Sequence, residues 1–184
     1  MAMVENQRVR ISKQLLKDSL VRLLHEKSIH NISVREICEC AEINRTTFYK
    51  YYGSQYDLLE GIESELLMKI DGYLGPSSGD TDLDRLRKVL SYAVNNLELC
   101  RLLFNNNVDP GFPGRLINLP RVQEMLSQLL AEGYGGDTLK YISCFIVSGG
   151  FAIIKEWINQ ENPDPPETVA LLLADIIFKL IPIS

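Results

Sequence analysis

Histidine is nearly absent from this 184-residue chain: His25 and His30 are the only two. The four cysteines, Cys38, Cys40, Cys100 and Cys144, form no C-x-x-C pair and have no histidine at metal spacing, which argues against a zinc site. They read as small buried hydrophobes, with a redox sensor as the sharper alternative. Cys38 and Cys40 fall on one short helical segment and point in different directions, so a mutual disulfide is disfavoured. Ser/His/Asp, H-E-x-x-H and Gly-rich phosphate-loop patterns are also missing, and neither histidine lies near a plausible nucleophile; an enzyme is not expected and no cofactor is implied. No uninterrupted apolar run reaches bilayer length. The start, Met1-Ala-Met-Val-Glu-Asn-Gln-Arg8, carries no apolar signal region. These two absences lead to the expectation of a cytoplasmic protein with no membrane partner. Strand alternation, internal repeats and low-complexity tracts are absent too.

What remains is a helical chain with a divided charge. Hydrophobic residues make up 46% of it, enough for a buried core. The net charge is −5, an unpromising total for a nucleic-acid binder. Residues 1–60, however, hold nine Lys/Arg against eight Asp/Glu, whereas residues 61–184 hold ten against sixteen. The first third can approach phosphate, and the acidic remainder is repelled by it.

Helical periodicity runs through nearly every segment. Ser12 is a suitable N-cap for a helix to about Lys27, with Leu16, Leu20, Leu23 and Leu24 on one face. Ser33 and Glu36 make an S-x-x-E capping box ahead of an apolar stripe at Val34, Ile37, Cys38 and Ala41. Asn44 can cap a helix to Tyr52, with Gly53 as its stop, and Ser54 with Asp57 opens another to about Tyr73. Gly75 to Asp82 reads as a linker. Beyond it, helices are expected over Asp82–Asn95, Leu97–Asn105, Leu116–Gly133, Asp137–Asn159 and Glu167–Ile181, with an irregular loop over Asn105–Gly114. The fold class is all-α: an N-terminal three-helix helix-turn-helix domain over 1–56, then a helical-bundle dimerisation and ligand domain over 57–184, about nine helices in all.

The densest chemistry lies in Asn44-Arg-Thr-Thr-Phe-Tyr-Lys-Tyr-Tyr52, three residues after the segment Ser33–Cys40. Two short helices with a tight connection, the second rich in aromatic and basic tips, make a DNA-reading unit. Phe48 and Tyr52 fall on the inward side with Ile43. Arg45, Thr46, Thr47, Tyr49, Lys50 and Tyr51 are then the DNA-facing candidates: Arg45 suits a guanine edge, Thr46 a base or thymine methyl, and Tyr49, Lys50 and Tyr51 phosphates. Ser33 can offer its hydroxyl to phosphate. Aromatics at helical spacing more often build core than a reading surface; the capping box, short turn, apolar anchor and polar aromatic face occurring in one block tip the balance.

The run Ile32-Ser-Val-Arg-Glu-Ile-Cys-Glu-Cys-Ala-Glu-Ile-Asn-Arg-Thr-Thr-Phe-Tyr-Lys-Tyr-Tyr-Gly-Ser-Gln-Tyr-Asp-Leu-Leu59 resembles the signature of the tetracycline-repressor-like (TetR/AcrR) transcriptional regulators. The block Phe145–Ile158 with Pro165-Pro-Glu-Thr168 resembles a subset that includes DhaS-like members. The resemblance implies a homodimer on double-stranded DNA, controlled by a small-molecule effector, and a ligand-responsive repressor on a palindromic operator. Two positions depart from the pattern. Glu42 stands where the turn commonly has Gly, which implies strain if φ is positive and a negative charge near DNA. Gln55 stands where Lys is common. Weaker DNA binding follows from both, and a same-fold coactivator working through a protein partner is the alternative.

Asp137–Asn159 and Leu171–Leu180 are apolar over more than one stripe, which calls for burial beyond one small body. A four-helix interface between two copies is expected, with Ile146, Gly149, Gly150, Ile153, Leu172 and Ile176 as contacts. Tyr92, Phe104, Tyr141, Phe145 and Trp157 are the candidates for lining an effector cavity, though core is the ordinary fate of such side chains.

Overall fold

The computed structural model describes residues 7–75, 79–105, 108–130 and 136–180. The first six residues, the centre of the Gly75–Asp82 linker, Asn106, Asn107 and the expected helix end at Gly133 lie outside them. The described residues form ten α-helices and one 3-10 turn, with no strand among them: α1 Gln7–Glu26, the 3-10 turn Ile29–Asn31, α2 Val34–Cys40, α3 Arg45–Phe48, α4 Gln55–Leu74, α5 Asp82–Asn95, α6 Leu97–Phe104, α7 Phe112–Ile117, α8 Pro120–Leu130, α9 Gly136–Asn159 and α10 Pro166–Leu180. The chain divides into two compact units, Met1–Leu66 and Leu67–Ser184, the division falling within α4.

In the first unit α1 packs on α2 and α2 on α3. Leu16, Leu20 and Leu24 of α1, Ile37 and Cys38 of α2, Phe48 of α3 and Leu58, Leu59, Ile62 and Leu66 of α4 are buried. Removing a Leu or Phe side chain from water contributes roughly 1.5–3 kcal/mol, so these ten outweigh any local propensity. The expected capping box is present: Ser33 Oγ accepts from Glu36 N, and Glu36 Oε2 accepts from Ser33 N at 2.9 Å. Lys27 pairs with the same carboxylate. That pairing, followed by the two Ser33 hydrogen bonds, pulls the Glu36 carboxyl down to about 2.

Two helix limits differ from the sequence reading. α1 starts at Gln7, not at Ser12. No Gly or Pro precedes Ser12, and propagation adds one hydrogen bond for each residue fixed. α3 closes at Phe48 and continues as turns to Tyr51. Lys50 N donates to Thr47 O and Tyr51 N to Phe48 O, both i to i−3. Thr46, Thr47, Tyr49, Tyr51 and Tyr52 are β-branched or aromatic and hold an α-helix weakly. Gly53 then permits a close contact. Its N–H donates to Asp57 Oδ2 at 2.9 Å, and a Cβ there would come within 2.6 Å of that oxygen.

In the second unit α5 packs on α10, α6 on α7 and α9, and α8 on α9. Thr81 and Asp84 form a capping box at the head of α5, and the Thr81 hydrogen bonds hold the Asp84 carboxyl below its usual range. Arg101 of α6 donates to the carbonyls of Ile158 and Gln160 at 2.6 and 2.7 Å, satisfying the end of α9. The single helix expected over Leu116–Gly133 is two. Pro113 sits in the first turn of α7, and α8 opens at Pro120. Proline suits a first turn, and it disfavours continuing a helix from the residue before it, as at Leu119 ahead of Pro120.

Apolarity also has to be judged differently. Averaged over Lys140–Asn159, α9 is long and apolar enough to cross a bilayer by length and composition, with only 17% of it buried inside the chain. Reading for uninterrupted runs missed this, because Ser143, Ser148 and the paired glycines break the run without lowering the mean much.

Candidate nucleic-acid interface

The turn between α2 and α3 sets how the second helix is presented. Ile43 N donates to Cys38 O at 2.9 Å and Glu42 N to Glu39 O at 3.3 Å. These are the two bonds of a Schellman closure, whose central residue takes the left-handed conformation. Here that residue is Glu42, at φ 53. The strain anticipated at this position is present, at a cost of about 1–2 kcal/mol for a residue bearing Cβ. Asn44 then caps α3, its side chain accepting from Thr46 N at 2.8 Å.

Phe48 anchors α3 with no exposure at all, and the rings of Tyr49 and Tyr52 lie 5.5 and 5.8 Å from it. The opposite face is open. Arg45, Thr46 and Lys50 are exposed, Tyr49 is 58% exposed, and Thr47 and Tyr51 are half-buried. A groove of about 490 Å³ runs along this face, lined by His30, Asn31, Ile32, Ser33, Val34, Arg35, Arg45, Tyr49 and Gln55. Ser33, Arg45 and Tyr49 therefore share one groove, while Thr46, Thr47, Lys50 and Tyr51 are not among the residues lining it. Among the described residues no carboxylate lines the groove, which suits an anionic polymer.

Three residues escaped the sequence reading. His30 and Arg35 line the groove, and the Lys13 ammonium stands 5.5 Å from the centre of the Tyr51 ring, a cation–π contact that ties α1 to the end of the reading segment. No local pattern marks these residues; only the packing of α1 and α2 brings them to this face.

The five ligand candidates lie in different settings. Phe104 and Trp157 are buried: Phe104 stacks on Phe151 at 5.1 Å, and Trp157 Nε1 donates to Asp164 O at 2.8 Å. Tyr141 and Phe145 are 71% and 64% exposed. Tyr92 lines a separate open cleft of about 440 Å³ with Tyr73, Arg87 and Lys88. In that cleft Arg87 pairs with Asp84 and Glu167, and Lys88 with Asp80. Of the interface candidates, Ile146 packs on Leu126 inside the chain. Gly149, Gly150, Ile153 and Ile176 are half-buried, and Leu172 is 49% exposed.

A capped, outward-facing second helix on a three-helix core defines the class: a helix-turn-helix DNA-binding regulator. Comparison with known proteins narrows it. Residues 18–62 match the family described as bacterial regulatory proteins, tetR family, and residues 80–179 match the transcriptional regulator C-terminal region. The chain belongs to the TetR family of transcriptional regulators, which are transcription factors and not enzymes. It is 20% identical over 173 residues to an uncharacterized HTH-type transcriptional regulator, YxbF, of Bacillus subtilis (strain 168); that match takes in 88% of this chain and 43% of YxbF, so the chain spans less than half that relative's length. Among solved structures it is similar to a TetR transcriptional regulator from Streptococcus agalactiae 2603V, with TM-score 0.67, 20% identity and coverage of 96% and 99% of the two chains. The dihydroxyacetone kinase operon activator DhaS matches with TM-score 0.61, 20% identity and coverage of 92% and 96%. At these identities the structural likeness speaks to the fold.

Proposed function

We propose that this regulator is a ligand-responsive repressor that binds a near-palindromic operator as a homodimer. In this reading residues 1–56 are the reading head, and 57–184 form the effector-binding and dimerising body. The observation that carries it is the open face of Arg45, Thr46, Tyr49 and Lys50 over a fully buried Phe48. Arg45 reads a base edge, Thr46 and Thr47 contact a neighbouring base or methyl, and Ser33, Tyr49, Lys50 and Tyr51 fix register on phosphates. Dimerisation through α9 and α10 is supported by the exposed Phe145, Leu171 and Leu172 and by the open space beside Gly149 and Gly150, where a Cβ would meet nothing within 4 Å. A partner covering α9 also accounts for its apolarity without a membrane, in keeping with a cytoplasmic regulator.

The effector is a small molecule held in the body, with Tyr92, Phe104, Tyr141, Phe145 and Trp157 as the residues to probe. Effector and operator must oppose each other's binding by one shared coupling free energy. Selection from random DNA with the purified protein tests the reading. A short palindrome bound by a dimer, and released by an effector found through thermal-shift screening, is the expected result. Equal operator affinity with and without that effector would end the ligand-responsive reading.

Glu42 and Gln55 favour a second reading, a coactivator that works through a protein partner, and one solved neighbour is named an operon activator. Selection of a palindrome by the protein alone at near-physiological salt would exclude it.

A further inference from the structure

His30 lies in the 3-10 turn ahead of α2, between Ile29 and Ile32, which are both buried and pin the backbone. The imidazole is exposed and lines the groove beside Arg45, Tyr49 and Ser33. Its Nδ1 is 2.9 Å from the hydroxyl of Tyr56 on α4, with ring centres 5.9 Å apart. The bond occupies one ring nitrogen and leaves Nε2 for the groove. We infer that His30 is a proton-gated phosphate contact, held in position by Tyr56. The inference rests on the DNA-binding reading of this face.

The surrounding groups support that role. From α2 come Arg35, whose Nε pairs with Glu39 at 2.6 Å, and Glu36, whose carboxylate is taken up by Ser33 and Lys27. From α3 come Arg45 and Tyr49, and from α4 Gln55 and Tyr56. Asp57, the nearest carboxylate of α4 in sequence, accepts from Gly53 N and Ser54 Oγ. Among the described residues no carboxylate lines the groove, and Glu36 and Glu39 beside it are taken up by Ser33, Lys27 and Arg35, so a phosphate is a suitable counter-charge for an imidazolium. In the charged ring Nδ1–H donates to Tyr56 Oη and Nε2–H to a phosphate oxygen. In the neutral ring the contact loses its charge: one tautomer turns an Nε2 lone pair toward that oxygen, and the other, with Nδ1 accepting from Tyr56, donates to it only as a neutral N–H.

Imidazole changes charge between pH 5 and 8, and a phosphate beside it favours the charged form. DNA binding then takes up a proton. The affinity added by the charged ring is present at low pH and is lost as pH rises. An added cation also adds a released counterion, so the salt dependence steepens by about 0.9 per reading head when the ring is charged.

The test is fluorescence anisotropy with a labelled random-sequence duplex of roughly thirty base pairs, long enough for two half-sites a helical turn apart. Titrations at pH 6 and pH 8 over a series of salt concentrations give both slopes. The wild type is expected to bind several-fold tighter at pH 6 than at pH 8, with the steeper salt slope there. His30→Gln should be flat with pH and keep the shallow slope. His30→Arg should be flat and bind at pH 8 as the wild type does at pH 6. Tyr56→Phe should lose several-fold at pH 6 and little at pH 8, and His25→Gln should keep the wild-type profile. Circular dichroism checks that each variant is folded. A His30→Gln protein that retains the wild-type pH profile and salt slopes overturns the inference while leaving DNA binding intact. Wild type that binds no duplex at either pH overturns the DNA reading and this one with it.

Discussion

The reading helix α3 and the long helix α9 both expose aromatic rings, and to similar degrees: Tyr49 at 58%, Phe145 at 64%, Tyr141 at 71%. Their settings differ. Tyr49 stands among Arg45, Thr46 and Lys50 on α3 and the turn that closes it, whose anchor, Phe48, is fully buried. The head satisfies its own core and presents a polar face, the proposed DNA-reading surface, that water tolerates. α9 has only 17% of its apolar stretch buried in the chain's own core, and Tyr141 and Phe145 stand among apolar neighbours. Scattered exposed hydrophobes are ordinary, but a long apolar face calls for a partner. Exposure alone therefore does not distinguish a reading surface from an association surface; the polarity of the neighbours does.

Breaking the head's anchor should have the largest effect. Phe48→Ala is expected to cost about 3–5 kcal/mol, read by urea denaturation, with DNA binding lost as the head unfolds. Breaking the body's face comes next. Phe145→Glu with Leu172→Glu should shift the proposed dimer roughly 100-fold or more toward monomer in analytical ultracentrifugation, since each side chain forfeits about 1.5–3 kcal/mol of burial. A variant that stays dimeric while keeping its helicity would erase the contrast between the two helices.

Smaller changes sharpen the comparison. Arg45→Ala with Tyr49→Ala should leave folding and dimerisation untouched and weaken specific DNA binding by at least about 1–3 kcal/mol, the worth of one base contact. Glu42→Gly should raise stability by about 1 kcal/mol by relieving the left-handed backbone and tighten DNA binding by removing a charge. Glu36→Gln gives the smallest change, visible only in acid. The Glu36 carboxyl sits at about 2 when folded against an ordinary 4.5, so its contribution is complete above about 4.5 and fades as pH falls toward 2. The variant should lose that part of the acid-unfolding profile; an unchanged profile between pH 4.5 and 2 would show the box to be inert.

Local chemistry made the head legible. Capping oxygens, a three-residue turn and a 3.6-residue stripe each act within a few residues, so Ser33, Asn44, Phe48 and the strain at Glu42 could be read from the chain. Helix limits were less legible: α1 ran past Ser12, and α3 stopped four residues short of Tyr52. Propagation and β-branched crowding depend on the whole segment, not on a cap. The proposed effector residues were least legible. An aromatic on an apolar helix looks the same whether it packs inward, as Phe104 does on Phe151, or stands in solvent, as Tyr141 does.

The sequence by itself determined the helical class, the helix-turn-helix and the family, because caps, turns and periodicity are short-range. Tertiary structure alone decided that His30, Arg35 and Gln55 share a groove with Arg45, that Lys13 lies over Tyr51, and that Tyr141 and Phe145 of α9 stand exposed. Those relations join residues far apart in the chain, and only the burial of a common core brings such residues together.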